Sequence, residues 1–169
     1  MIGRVAVVFI LASALLGGAA LYYLQVYGFY RDVETAEVRL MPQGGDTPEP
    51  IALTAFEAID ADSSPIRYRA CFSTPLRPDE AAATYTPLDR AVPRNAPGWF
   101  DCFDAAAIAA QLDAGTARAF LGTKNVHFGV DRIVVLTDDG RGYVWHELND
   151  CGQKAYDGTI VGEECPPRE

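Results

Sequence analysis

The stretch RIVVLTDDGRGYVWHEL, residues 132–148, reads as two strands around a tight turn. Arg132 to Thr137 is dense in β-branched residues, and Gly142 to Leu148 carries Tyr143, Val144 and Trp145. Side chains of these kinds suit a pleated, packed surface, and Asp138-Asp139-Gly140 supplies a turn whose glycine accepts a left-handed backbone. A lone hairpin is marginal in water, so further strands must complete a sheet. Ile66, Tyr68, Ala70 and Phe72 alternate with Arg67, Arg69 and Cys71, which predicts a half-buried strand. Thr116 to Leu121 predicts a second, short one, whereas Ile51 to Ile59 has no clean period and is assigned none.

Between these lie two helical signals. Pro78-Asp79-Glu80 before three alanines predicts a short helix with acidic first-turn residues. Ala106, Ile108, Ala109 and Leu112 stand at helical spacing, with Asp101 or Asp104 as N-cap and Gly115 as C-cap. Asp32 to Leu40 either prolongs a preceding helix or turns directly into a strand, since Glu37, Val38, Arg39 and Leu40 alternate. Pro42 to Pro50 is a surface loop, Tyr85 to Trp99 with its three prolines an extended irregular one, and Asn149 to Glu169 mostly coil. The expectation for residues 31–169 is one α+β domain with a small antiparallel sheet and one or two short helices.

Residues 1–30 are different in kind. Val5 to Leu24 is apolar, broken only by Ser13, Gly17, Gly18 and tyrosines, with no Asp, Glu, Lys or Arg. At ~1.5 Å per residue it spans ~30 Å, the thickness of a hydrocarbon core. Tyr22, Tyr23, Tyr27, Phe29 and Tyr30 follow, where amphipathic rings settle at head-group level. The expected partner of residues 5–24 is therefore the lipid bilayer, with Arg4 and the free amine on the cytoplasmic side. The competing reading is a cleaved signal peptide with Gly18, Ala19 and Ala20 as the cleavage site; hydrophobicity running on past them favours an uncleaved anchor. Gly17 and Gly18 with Ser13 and Ala14 also make a face that another helix can approach closely, although small residues are common in lone spans.

All four cysteines, Cys71, Cys102, Cys151 and Cys165, lie beyond the anchor, and none forms CxxC. An even count without redox or zinc spacing reads as two disulfides in an oxidising compartment. Three connectivities are open; Cys71–Cys102 with Cys151–Cys165 is favoured, because the latter staples a Gly-rich segment with little core of its own. The composition, 49% hydrophobic and 22% charged, is that of a globular chain. A net charge of −9 repels nucleic acid, so no nucleic-acid partner is expected.

Candidate chemistry is sparse. His146-Glu147-Leu148-Asn149-Asp150 departs from the zincin HExxH at its fifth residue and ends a strand, where positions i and i+4 are ~13 Å apart. His127 and His146 approach one another if their strands pair, but two histidines make an incomplete metal site. The Gly140-x-Gly142 pair belongs to the hairpin turn and precedes no helix, so it is no phosphate loop. Arg67 and Arg69 share a strand face, and Arg90 and Arg94 lie in the Pro-rich loop. Together with Trp99 they form the candidate ligand site, suited to a carboxylate or phosphate, against the plainer alternative of solvated arginines. Trp99, Phe100 and Phe103 flank Cys102 and are expected to pack around its disulfide. No catalytic residue, metal ligand or cofactor is assigned.

The stretch Leu21-Tyr22-Tyr23-Leu24-Gln25-Val26-Tyr27, with His146-Glu147-Leu148-Asn149-Asp150-Cys151-Gly152 and the ending Glu164-Cys165-Pro166, resembles an uncharacterised family of small single-span envelope proteins from alphaproteobacteria. Members sometimes carry a histidine-kinase label. That activity needs a phospho-acceptor helix and a separate ATP-binding domain, for which this chain has no room. The resemblance implies a Gram-negative inner membrane and a periplasmic domain, and it brings no site residues. Expected above all is a non-enzymatic partner of a membrane-protein complex; the alternatives are a periplasmic small-ligand-binding or sensory domain, or an enzyme whose site is dispersed through the sequence.

Overall fold

The computed structural model describes residues 2–167. Helix α1, Ile2–Tyr23, buries none of its residues and widens into a π-helical turn over Leu24–Gly28. It is long and apolar enough to cross a membrane. The chain then forms β1 (Arg31–Asp32), β2 (Arg39–Leu40), β3 (Glu49–Pro50), β4 (Thr54–Asp60), β5 (Arg69–Ser73), α2 (Pro78–Thr84), β6 (Pro87–Leu88), α3 (Ala105–Asp113), β7 (Ala117–His127), β8 (Val130–Thr137) and β9 (Arg141–Leu148). Seven strands make one antiparallel sheet in the order β1-β4-β5-β9-β8-β7-β6, and β2 with β3 makes a separate two-stranded ribbon. The fold is α+β, as the alternating patterns predict.

The hairpin that opened the reading is β8–β9, with Val134 opposite Val144 and Gly140 at a φ of 84° in the turn. Its alternation sorts the core onto two faces. Val134, Leu136, Val144, Phe72, Ala70 and Phe120 pack on one, beneath β2 and α2. Ile133, Val135, Tyr143, Trp145 and Ile108 of α3 pack on the other, with Phe100 and Phe103. Full burial of side chains such as Trp145, Phe120 and Leu136 contributes roughly 1.5–3 kcal/mol apiece before chain entropy is counted. Opposite Phe72, a Cβ on Gly142 would overlap the phenyl ring, so the glycine is required there by contact.

Several expectations are corrected. Ile51 to Ile59 contains β4, whose register shifts between Thr54 and Glu57 around Ala55 at a φ of 48°, and whose Ala58 and Ile59 are both buried. A bulge and cover on both faces remove the simple period. The strand expected from Ile66 begins at Arg69 and is buried on both sides rather than half-buried. Thr116 to Leu121 extends to His127, and the loop from Tyr85 includes the two-residue β6. Asp32 to Leu40 yields short strands at either end rather than more helix. Of the two candidate caps for α3, Asp104 is the one used: it accepts from the amides of Ala106 and Ala107. Gly115 follows at a φ of 73°. Cys71 pairs with Cys102 and Cys151 with Cys165.

Candidate functional site

The sequence-predicted arginines and Trp99 divide among three places. Arg69 is 5% exposed. Its guanidinium donates to the carbonyls of Arg94 (2.9 Å), Asn95 (3.0 Å), Ile66 (2.9 Å) and Tyr68 (2.6 Å). It also lies 5.7 Å from the ring centroid of Phe103. Burial lowers its pKa to about 10, still far above neutrality, so the charge persists. Each nitrogen of this cation donates to a backbone carbonyl, and the side chain holds the Pro-rich loop against the sheet.

Arg67 and Trp99 meet at the foot of α1. Arg67 precedes β5 in a turn and reaches Gln25, donating to its carbonyl (3.3 Å) and its side-chain oxygen, with the guanidinium 5.5 Å above the Tyr30 ring. Trp99 Nε1 donates to the Val26 carbonyl at 2.7 Å, and its ring stacks on Tyr27 and meets Tyr30 edge-on. A helix leaves its last carbonyls without helical donors. Here the Leu24 and Tyr27 carbonyls accept from the Phe29 and Tyr30 amides, while Gln25 and Val26 are served by side chains more than forty residues away. The positive Arg67 also complements the negative end of the helix dipole.

Arg90 and Arg94 lie elsewhere, along a cleft of about 480 Å³ between the Pro-rich loop and the ends of β8 and β9. Leu88, Val92 and Ile133 form its apolar wall, and Glu147 and Asp131 bring carboxylates. Arg94 pairs loosely with Glu147 at 3.8 Å. Asp131 is committed to the Asn125 amide and the Asn149 side chain at 2.8 Å each. Arg90 is exposed and has no ion pair among the described residues. The five residues of the candidate ligand site thus do not converge.

One polar cluster escaped the sequence reading. His146 on β9 is buried, with Nδ1 2.7 Å from the Pro65 carbonyl and Nε2 3.1 Å from Nε of Arg132. Nδ1 therefore donates and Nε2 accepts, which specifies a neutral ring. Tyr68 stacks on it at 4.8 Å, Arg132 covers Tyr68, and the His127 ring is 5.9 Å away. Burial pushes its pKa down to about 4, against a weaker upward pull from the Pro65 carbonyl, and nearby Arg132, His127 and Arg69 lower it further. The expected approach of the two histidines was the only signal available for this cluster. Among the described residues no group of three or more His, Cys, Asp or Glu is placed to hold a metal ion.

A family model described as a family of unknown function, DUF6446, matches residues 38–166. The chain belongs to DUF6446. The match takes in every strand from β2 onward, both disulfides and the arginine-lined cleft, while α1 and β1 lie before it. DUF6446 carries no assigned activity, in keeping with the resemblance to an uncharacterised family. No curated protein and no solved structure matches the chain.

Proposed function

We propose that this DUF6446 member is a single-pass inner-membrane protein, N-terminus cytoplasmic, whose disulfide-bonded domain stands in the periplasm and docks another component of an envelope complex. Support for anchoring comes from exposed apolar rings that continue past Gly18-Ala19-Ala20 to Phe29, where a cleaved chain would carry them into water. Support for the compartment comes from two disulfides and no free cysteine among the described residues. Arg4 and the resemblance to single-span envelope proteins favour the orientation.

The observation that carries the docking role is the tail. Cys151–Cys165 closes a loop in which Tyr156, Ile160 and Val161 point outward, each more than half exposed. An antiparallel bridge between Lys154 and Ile160 shapes its tip. Rigid, exposed aromatic and aliphatic groups are what interface centres are made of, and the disulfide reduces the ordering cost of binding. Native full-length protein extracted in mild detergent is expected to bring a defined membrane complex with it. The double variant Tyr156→Ser, Ile160→Ser is expected to lose that complex while keeping its fold. A monomer without companions, or a complex indifferent to the double variant, rejects the reading.

The cleft favours a second reading, a small-ligand-binding or sensory domain. Arg90 offers a guanidinium with no ion pair among the described residues beside an apolar wall, a setting for a small carboxylate with a hydrocarbon tail. A companion-free monomer that retains such an acid through purification selects it.

A further inference from the structure

At the foot of α1, side chains from opposite ends of the sequence come to one level. Tyr22, Tyr23, Tyr27, Phe29 and Trp99 are between 36% and 63% exposed, so part of each ring stays open to the surroundings. Tyr27 stacks on Tyr23 and on Trp99, which makes the rings one continuous surface rather than scattered residues. That surface begins where the apolar run of α1 ends. Val26, whose carbonyl holds the Trp99 indole, stands two residues beyond Leu24, ~3 Å above the top of a hydrocarbon core that the run would fill.

We infer that Trp99 and the juxtamembrane rings form an interfacial collar that seats the folded domain in the head-group layer of the bilayer, with the lipid surface as its partner. The inference rests on the anchor reading above and extends it from the helix to the domain. Trp99 is the decisive residue, because it belongs to the Pro-rich loop and reaches the membrane level only through folding. Its polar edge is already satisfied by Val26, so the face of the ring is left for the lipid-glycerol region, where tryptophan and tyrosine settle. Arg67 closes the joint: by binding Gln25 it fixes the turn before β5 to the helix end, leaving the domain two attachments besides the chain itself. With its terminal carbonyls bonded within the protein, the end of the helix is held in place by the domain and does not depend on interfacial water for its donors. The domain is consequently held flat on the membrane at a fixed tilt, and does not swing on a tether.

The test uses the full chain in liposomes of one phospholipid, brominated either near the glycerol or near the chain end. The two tryptophans separate cleanly: Trp145 is fully buried between β5 and β8, and Trp99 is not. Trp99 emission, taken as wild type minus Trp99→Phe, is expected to be lost with the shallow label and to survive the deep one, while Trp145 emission stays constant. If the substitution prevents folding, wild-type quenching alone decides, because Trp145 is shielded from both labels. Liposomes that float with the protein but quench no emission overturn the collar and leave the anchor standing; the rings would then await a protein, which these liposomes do not supply. Protein that fails to float overturns both.

Discussion

His146 sits neutral between a carbonyl acceptor and an arginine donor, and the Arg132 contact does not tolerate a second proton on the ring, at Nε2. Its pKa is about 4 in the fold against the ordinary 6.5. Between those values the unfolded chain takes up a proton that the folded chain refuses, so stability falls as pH drops from about 6.5 towards 4. The loss approaches at most about 3 kcal/mol at the acid end. Urea denaturation across that range is expected to show the slope, and His146→Gln to flatten it; a slope that survives the substitution assigns it to other groups. Asp139 belongs to a different regime. The Arg141 and Thr137 side-chain hydrogen bonds hold its carboxyl at about 2 against the ordinary 3.8, so its own loss of stability falls mainly below pH 4 and enters this window only at the acid end. Residue-level sequence reading went furthest astray at Arg69. A strand arginine reads as solvent-facing, and only the path of a loop some 25 positions later supplies the carbonyls that bury it.

At the scale of elements, the two disulfides do different work. Cys71–Cys102 joins β5 in the middle of the sheet to the segment before α3, across 31 residues. Cys151–Cys165 closes 14 residues outside the sheet. Restriction of the unfolded chain makes the first worth about 4 kcal/mol to the whole domain, whereas the second, worth about 3 kcal/mol, orders only the loop that it closes outside the cooperative sheet. Replacing Cys71 and Cys102 by serine is expected to lower the unfolding midpoint of the whole domain. Replacing Cys151 and Cys165 should instead open residues 152–164 to protease while the midpoint hardly moves; equal effects on the midpoint would refute that division. The hairpin, the Asp104 cap and the Cys pairing were legible because their signals are local or combinatorially few. β4 was not, since its bulge at Ala55 and the burial of the successive residues Ala58 and Ile59 leave no alternation to read. The junction of Trp99 with Val26 was equally hidden, as contact across 73 positions leaves no mark in either segment.

For the molecule as a whole, the anchor and the bridges make one linked statement about location. Protein purified from cells without reductant is expected to have an intact mass that includes residues 1–30. None of its cysteines should react with a maleimide until the chain is both unfolded and reduced. A mature N-terminus near residue 20, or thiols reactive in the native state, would contradict it. Another whole-molecule property follows from the order of the sheet. Its two borders are β1 and β6, each only two residues long. Long bare borders invite strands of neighbouring chains to zip on. Copies confined to a plane meet one another far more often than copies dispersed in solution. The border strands offer two residues of backbone apiece, so they are poor templates for growing into fibrils, and recognition at them must be written in side chains.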